Sequence, residues 1–171
     1  ATFRLADLVG VDVLYNVAKN LNILLKDDEF KDVFEIPQFL QEMINRNLIG
    51  DKVKAGFYKK ENDKRFVLDL NTLEYREQKQ VNLPEFMQIQ NIENLEDRIR
   101  AIFNLNTKHA EFLKKLIISI SLYSLNRVGE IADDIVNIDN GMKWGFNWKV
   151  GPFETIDIIT TEKFKNYVKE Y

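Results

Sequence analysis

The sequence predicts a mainly α fold, a helical bundle with a small β-hairpin near residues 55–77. Three observations carry that expectation. Apolar residues recur at helical spacing over residues 2–25 and again over residues 108–137. The window 53–79 drops this period and holds short β-favouring runs instead. The two ends of the chain also resemble each other at a constant offset of 150, with Phe3 matching Phe153 and Asp7 matching Asp157.

The elements follow in order. Phe3, Leu5, Leu8 and Val9 form one apolar stripe, Gly10 permits a break, and Val11, Leu14, Val17, Ala18 and Leu21 form the next. Residues 26–35 are charged and read as a loop. Pro37 suits the first turn of a helix whose buried face is Phe39, Leu40, Met43, Ile44 and Leu48, and Gly50 ends it. Ala55-Gly56-Phe57-Tyr58 and Arg65-Phe66-Val67-Leu68 favour extended backbone, with a turn at Glu61-Asn62-Asp63. A short helix is expected near Pro84 and another over 95–103. The strongest element is a single helix over 108–137, about 45 Å long at 1.5 Å per residue, with Phe112, Leu116 and Ile120 on one apolar line and Leu113 and Ile117 beside it. Gly129 inside it marks close packing or a bend. If the terminal repeat is real, residues 1–10 and 151–160 share one backbone, Phe3 and Phe153 are both buried, and Asp7 and Asp157 sit in matching places.

The domain reading divides the chain into 1–60, a connecting segment 61–106, and 107–171, all within one compact unit. A chain of 171 residues with 45% hydrophobic and 30% charged residues can bury a core without staples. It has no Cys, which excludes disulfides and thiolate metal sites and suits a cytoplasmic location. The net charge of −3 is mixed along the chain, so nucleic acid is not an expected partner, and the cluster Lys52, Lys54, Lys59 and Lys60 reads as a solvated face. Apolar runs such as residues 116–118 are far short of the roughly 20 residues a bilayer requires, so no membrane association is expected. Because residue 1 opens directly on an amphipathic pattern, the chain is expected to be a piece of a longer protein.

Little of the sequence suggests chemistry of its own. It has no Gly-x-Gly-x-x-Gly after a strand and no Gly-Lys-Ser/Thr loop, so no nucleotide-phosphate cradle and no cofactor-binding residue is assigned. The single histidine, His109, reads as an exposed polar residue rather than a base, and no metal ligands are assigned. Asp133, Asp134 and Asp139 lack the alternating spacing of a calcium loop and read as helix-face and capping residues.

Two stretches carry a family resemblance: Leu125-Asn126-Arg127-Val128-Gly129-Glu130-Ile131, and the run from Asp139-Asn140-Gly141-Met142-Lys143-Trp144-Gly145-Phe146 through Gly151-Pro152-Phe153-Glu154-Thr155 to Asp157. They resemble the C-terminal domain of the 3-hydroxyacyl-CoA dehydrogenase family. Thr2-Phe3-Arg4-Leu5-Ala6-Asp7-Leu8-Val9-Gly10 resembles a first copy of the same motif, closed by Gly56-Phe57-Tyr58, although Lys52-Val53-Lys54-Ala55 departs from the family's usual Lys-Thr-Gly there. The resemblance implies two tandem helical copies, as in long members of the family, and an NAD-binding domain upstream that carries the catalytic His-Glu pair. It implies that this chain holds no catalytic residue and is inactive alone, that its helices cover an acyl-CoA substrate, and that they form a homodimer interface. Asn126 is the one substrate-binding candidate, because it matches the family's catalytic Asn. It belongs to the second copy, so a packing role is expected of it. The alternative is a helical interaction or dimerisation module without a dehydrogenase parent.

Overall fold

A computed structural model describes residues 2–79 and 81–170. The chain divides into two compact units, 1–81 and 82–171, in place of the single unit expected. The boundary falls inside segment 61–106, whose strands belong to the first unit and whose helices belong to the second.

The first unit opens with α1 (Thr2–Val9) and α2 (Val11–Leu24). One residue separates them. Gly10 adopts φ 112°, a conformation costly for any residue with a Cβ, so the kink expected there is sharp. Its amide closes α1 on the Ala6 carbonyl, and its own carbonyl accepts the first amides of α2. A 3₁₀ turn (Lys31–Phe34) lies in the expected loop, and α3 (Gln38–Asn45) follows directly after Pro37. The sheet is antiparallel in the order β1 (Tyr58–Glu61), β2 (Lys64–Leu68), β3 (Tyr75–Glu77), with Tyr58 opposite Val67 and Phe66 opposite Glu77. Asn62 and Asp63 both have positive φ, the turn that matches the twist of a two-residue hairpin. The first strand starts at Tyr58 rather than Ala55, because the backbone before it is already bonded: Gly50 and Ala55 exchange amides, and the Phe57 amide donates to Asp7. Ala6, Val11, Met43, Phe57 and Leu68 form the core. Three lysines of the basic cluster are in ion pairs, Lys52 with Asp12, Lys59 with Glu61 and Lys60 with Asp63.

The second unit is helical among its described residues: α4 (Pro84–Ile89), α5 (Leu95–Phe103), α6 (Lys108–Asn126), α7 (Ile135–Phe146), α8 (Pro152–Ile159) and α9 (Thr161–Glu170). Three helices carry side-chain caps: Asn94 accepts from the Asp97 amide, Thr107 from Ala110, and Asp134 from Asn137. The single helix expected over 108–137 does not form. α6 stops after 19 residues, about 28 Å. Gly129 then takes φ 82° and donates to the Ala132 carbonyl, and Asp134 caps a new helix. The apolar line noted in the sequence does not coincide with the buried face of α6. Ala110, Lys114, Ile118 and Ser121 are buried, while Phe112 and Leu116 are exposed. Apolar residues sit almost all round this helix, so periodicity could not choose its inner face.

The terminal repeat exists in the backbone. α1 and α8 are each eight residues long and start 150 positions apart. Each is followed by one residue at positive φ, Gly10 at 112° and Thr160 at 77°, and then by a second helix. Its expected burial pattern fails in two places. Phe153 is 7% exposed but Phe3 is 49% exposed, and Asp7 is buried while Asp157 faces solvent. The cause is the neighbours. α8 packs against α5, α6 and α7 as well as α9, whereas α1 packs on α2 and the turn at Asp51–Val53.

Candidate functional site

In each unit a buried carboxylate grips two successive backbone amides just after a glycine. In the first, Asp7 on α1 accepts from the Phe57 amide at 2.7 Å and from the Tyr58 amide at 2.8 Å. A Cβ on Gly56 would lie 2.1 Å from the Asp7 Oδ1, so the clamp requires glycine there. Burial pushes the Asp7 carboxyl up from its ordinary value, and the two amides oppose that shift. Arg4 pairs with both oxygens of Asp51 at 2.6 and 2.9 Å, tying α1 to the segment before the hairpin. The Tyr75 hydroxyl donates to the Gly56 carbonyl at 2.7 Å, and burial pushes its pKa up to about 12.

In the second unit Asp139 on α7 accepts from the Phe153 amide at 2.8 Å and the Glu154 amide at 3.0 Å, which satisfies orphan donors of the first turn of α8. A Cβ on Gly151 would lie 2.2 Å from the Asp139 Oδ1. Glu154 reaches back to accept from the Gly151 amide at 2.7 Å and pairs with Lys143 at 2.5 Å. Lys143 first, and then that amide, hold the Glu154 carboxyl below its ordinary value. Thus Asp134 caps α7 and Asp139 caps α8, as the capping reading expected. Among the described residues no group of three His, Cys, Asp or Glu side chains could hold a metal ion. His109 is exposed and lies 3.3 Å from Glu85.

Asn126 is the last residue of α6 and is exposed, so the helix-interior position expected for it is corrected. Arg127 caps that end, lies 4.8 Å from the Tyr123 ring centroid and pairs with Glu130 at 2.9 Å. Asn126 does not line the cleft of this unit, a cavity of about 330 Å³ bounded by Leu95 and Ile99 of α5, Ile117 and Ile120 of α6, and the segment from Trp148 to Thr155. Sequence reasoning did not find this cleft, because its walls come from three separate stretches of chain.

The outward face of α1 is the largest contrast between the copies. Leu8 and Val9 are 67% and 48% exposed, whereas their counterparts Ile158 and Ile159 are 7% and 3% exposed.

The model for the 3-hydroxyacyl-CoA dehydrogenase C-terminal domain matches residues 1–60. Those residues belong to that domain family. Similarity to 3-hydroxyacyl-CoA dehydrogenases extends well past them. A probable 3-hydroxyacyl-CoA dehydrogenase of Bacillus subtilis is 39% identical over 159 residues, covering 93% of this chain and 20% of that protein. A putative fatty acid oxidation complex trifunctional enzyme of Rickettsia prowazekii is 26% identical over 98% of this chain and 22% of its own length. A probable 3-hydroxyacyl-CoA dehydrogenase of Deinococcus radiodurans is 38% identical over 65 residues, 38% of this chain and 18% of its own length. The chain therefore spans about a fifth of the length of the Bacillus and Rickettsia relatives it matches. No solved structure matches it. The family expected from the Gly-Pro-Phe-Glu and Gly-Phe-Tyr motifs is the one found.

Proposed function

We propose that this chain is the substrate-side helical region of an NAD-dependent 3-hydroxyacyl-CoA dehydrogenase acting in fatty-acid β-oxidation in the cytoplasm, built as two tandem copies of one packing unit. In this reading the NAD-binding domain and the catalytic His-Glu pair lie in the same longer polypeptide. The intact protein transfers hydride between the C3 carbinol of an acyl-CoA and NAD, with a histidine as base. The observation that carries the reading is the bare face of α1. A helix identical in length and position within its copy is covered in the second unit and uncovered in the first. That face is where a further element of the parent protein docks, and a homodimer contact is the other use such a face serves.

Asn126 is the second copy's counterpart of the family's catalytic asparagine. Its place at the exposed end of α6, away from the cleft, supports a role outside the reacting centre. The test is an absorbance assay of NADH formation from 3-hydroxybutyryl-CoA. The parent protein should turn over and the 171-residue chain should not. In the parent, Asn126→Ala should change kcat by less than about threefold, against the 10²-fold or more expected on removing a catalytic polar group. NADH formation by the chain alone, or a 10²-fold loss in that variant, would overturn the assignment.

A further inference from the structure

The cleft of the second unit has a chemistry that the dehydrogenase reading does not use. Its apolar lining is Leu95, Ile99, Ile117, Ile120, Trp148, Val150 and Pro152. Two hydroxyls also line it, but both are committed to backbone: Ser121 donates to the Pro152 carbonyl at 3.3 Å and Thr155 to the Gly151 carbonyl at 2.8 Å. Neither hydroxyl proton is left for a ligand, so the interior favours an aliphatic group over a polar one. About 330 Å³ lies at the small end of ordinary small-molecule sites, enough for one hydrocarbon chain.

The rim adds a charge. Lys149 lines the cleft, is exposed, and forms no ion pair among the described residues. The other nearby lysine, Lys143, is neutralised by Glu154. Asn147, at φ 55°, ends α7 and turns the chain into the Trp148-Lys149-Val150 segment that forms this side of the cleft. An apolar slot whose lining includes an exposed lysine with no ion pair among the described residues complements a single aliphatic chain ending in an anion.

We propose that this cleft is a binding site for a medium-length fatty carboxylate, with the chain between α5 and α6 and the carboxylate on Lys149. The site goes beyond the dehydrogenase reading. It needs no NAD, no thioester and no other domain, so either idea can fail without the other.

The experiment uses the 171-residue chain with Trp144→Phe, which leaves Trp148 as the only indole and a reporter in the cleft wall. Octanoate, decanoate and dodecanoate are titrated well below micelle formation, with decyltrimethylammonium as the oppositely charged control. Saturable fluorescence change is expected, tightening roughly tenfold for each two added methylenes. Lys149→Glu should weaken decanoate about fivefold at low salt. Ile120→Phe, which fills the cleft, should abolish the response while the circular dichroism spectrum stays native. Three results would overturn the proposal: affinity indifferent to chain length, equal binding of the cationic amphiphile, or undiminished binding in a folded Ile120→Phe variant. The last would point to a general apolar surface or to a protein side chain as the natural occupant.

Discussion

Asp139 offers the sharpest test of how the second unit is held. Its carboxylate is buried, and its two oxygens accept the amides of Phe153 and Glu154 at 2.8 and 3.0 Å. Asp139→Asn keeps the shape but turns one acceptor into an NH₂ facing an amide N–H. One charge-assisted bond, worth about 1.5–3 kcal/mol, is lost, and a buried donor is left unmet. We expect destabilisation of about 2–4 kcal/mol for this unit. A unit of this size shifts its Tm by roughly 4–8 °C per kcal/mol, so the expected fall is on the order of 10–20 °C. Both tryptophans, Trp144 and Trp148, belong to the second unit, so intrinsic tryptophan fluorescence follows its unfolding separately from the first. The control is Asp157→Asn. That residue holds the repeat position of Asp7 but faces solvent, and its substitution should cost under about 0.5 kcal/mol. The reasoning is refuted if Asp139→Asn melts within about 3 °C of the parent chain, or if Asp157→Asn matches its effect.

Three other expectations follow from the same geometry. Thr160 adopts φ 77° where the first copy has Gly10, so Thr160→Gly should raise stability by about 1 kcal/mol in urea denaturation, strain relief outweighing its weak 3.4 Å cap to Lys163; a loss of stability would contradict this. Glu154 is held below its ordinary pKa in the folded state, so its stabilisation is present above the unfolded carboxylate value and fades as pH falls through the lower folded one. Melting curves between pH 7 and 3 should therefore show an acid-side loss in the parent chain that is reduced in Glu154→Gln, and parallel curves would count against the Lys143 pairing. Leu8→Asp, on the bare face of α1, should reduce binding of an apolar-surface dye and any self-association seen by light scattering, with a Tm change under about 3 °C; a large drop in Tm would mean that this face is already packed.

Much of the fold is legible along the chain. The break at Gly10, the helix after Pro37, the turn at Asn62-Asp63 and the start of α8 at Pro152 are local matters of φ, capping and period. The offset of 150 between Phe3 and Phe153 led to the expectation of one shared backbone, and α1 and α8 are indeed helices of equal length, each followed by a residue at positive φ. The Gly-Pro-Phe-Glu and Gly-Phe-Tyr motifs pointed to the family whose C-terminal-domain model matches residues 1–60.

Other features depended on groups far apart in sequence. Residues 108–137 read as one helix because its apolar spacing continues through Val128 and Ile131, yet Gly129 and the Asp134 cap end one helix and begin another. Which side of α6 turns inward was decided by α5, α8 and α9, and apolar residues spread round the helix carry no mark of that choice. Asp139 could be read from sequence as a capping residue, but not as the cap of a helix 13 positions onward. The cleft beside Trp148 exists only because α5, α6 and the segment before α8 meet. Burial is the clearest case. Phe3 and Phe153 occupy the same position in the same local structure and differ sevenfold in exposure, because sequence sets the conformation of a segment while its neighbours set how much of it water can reach.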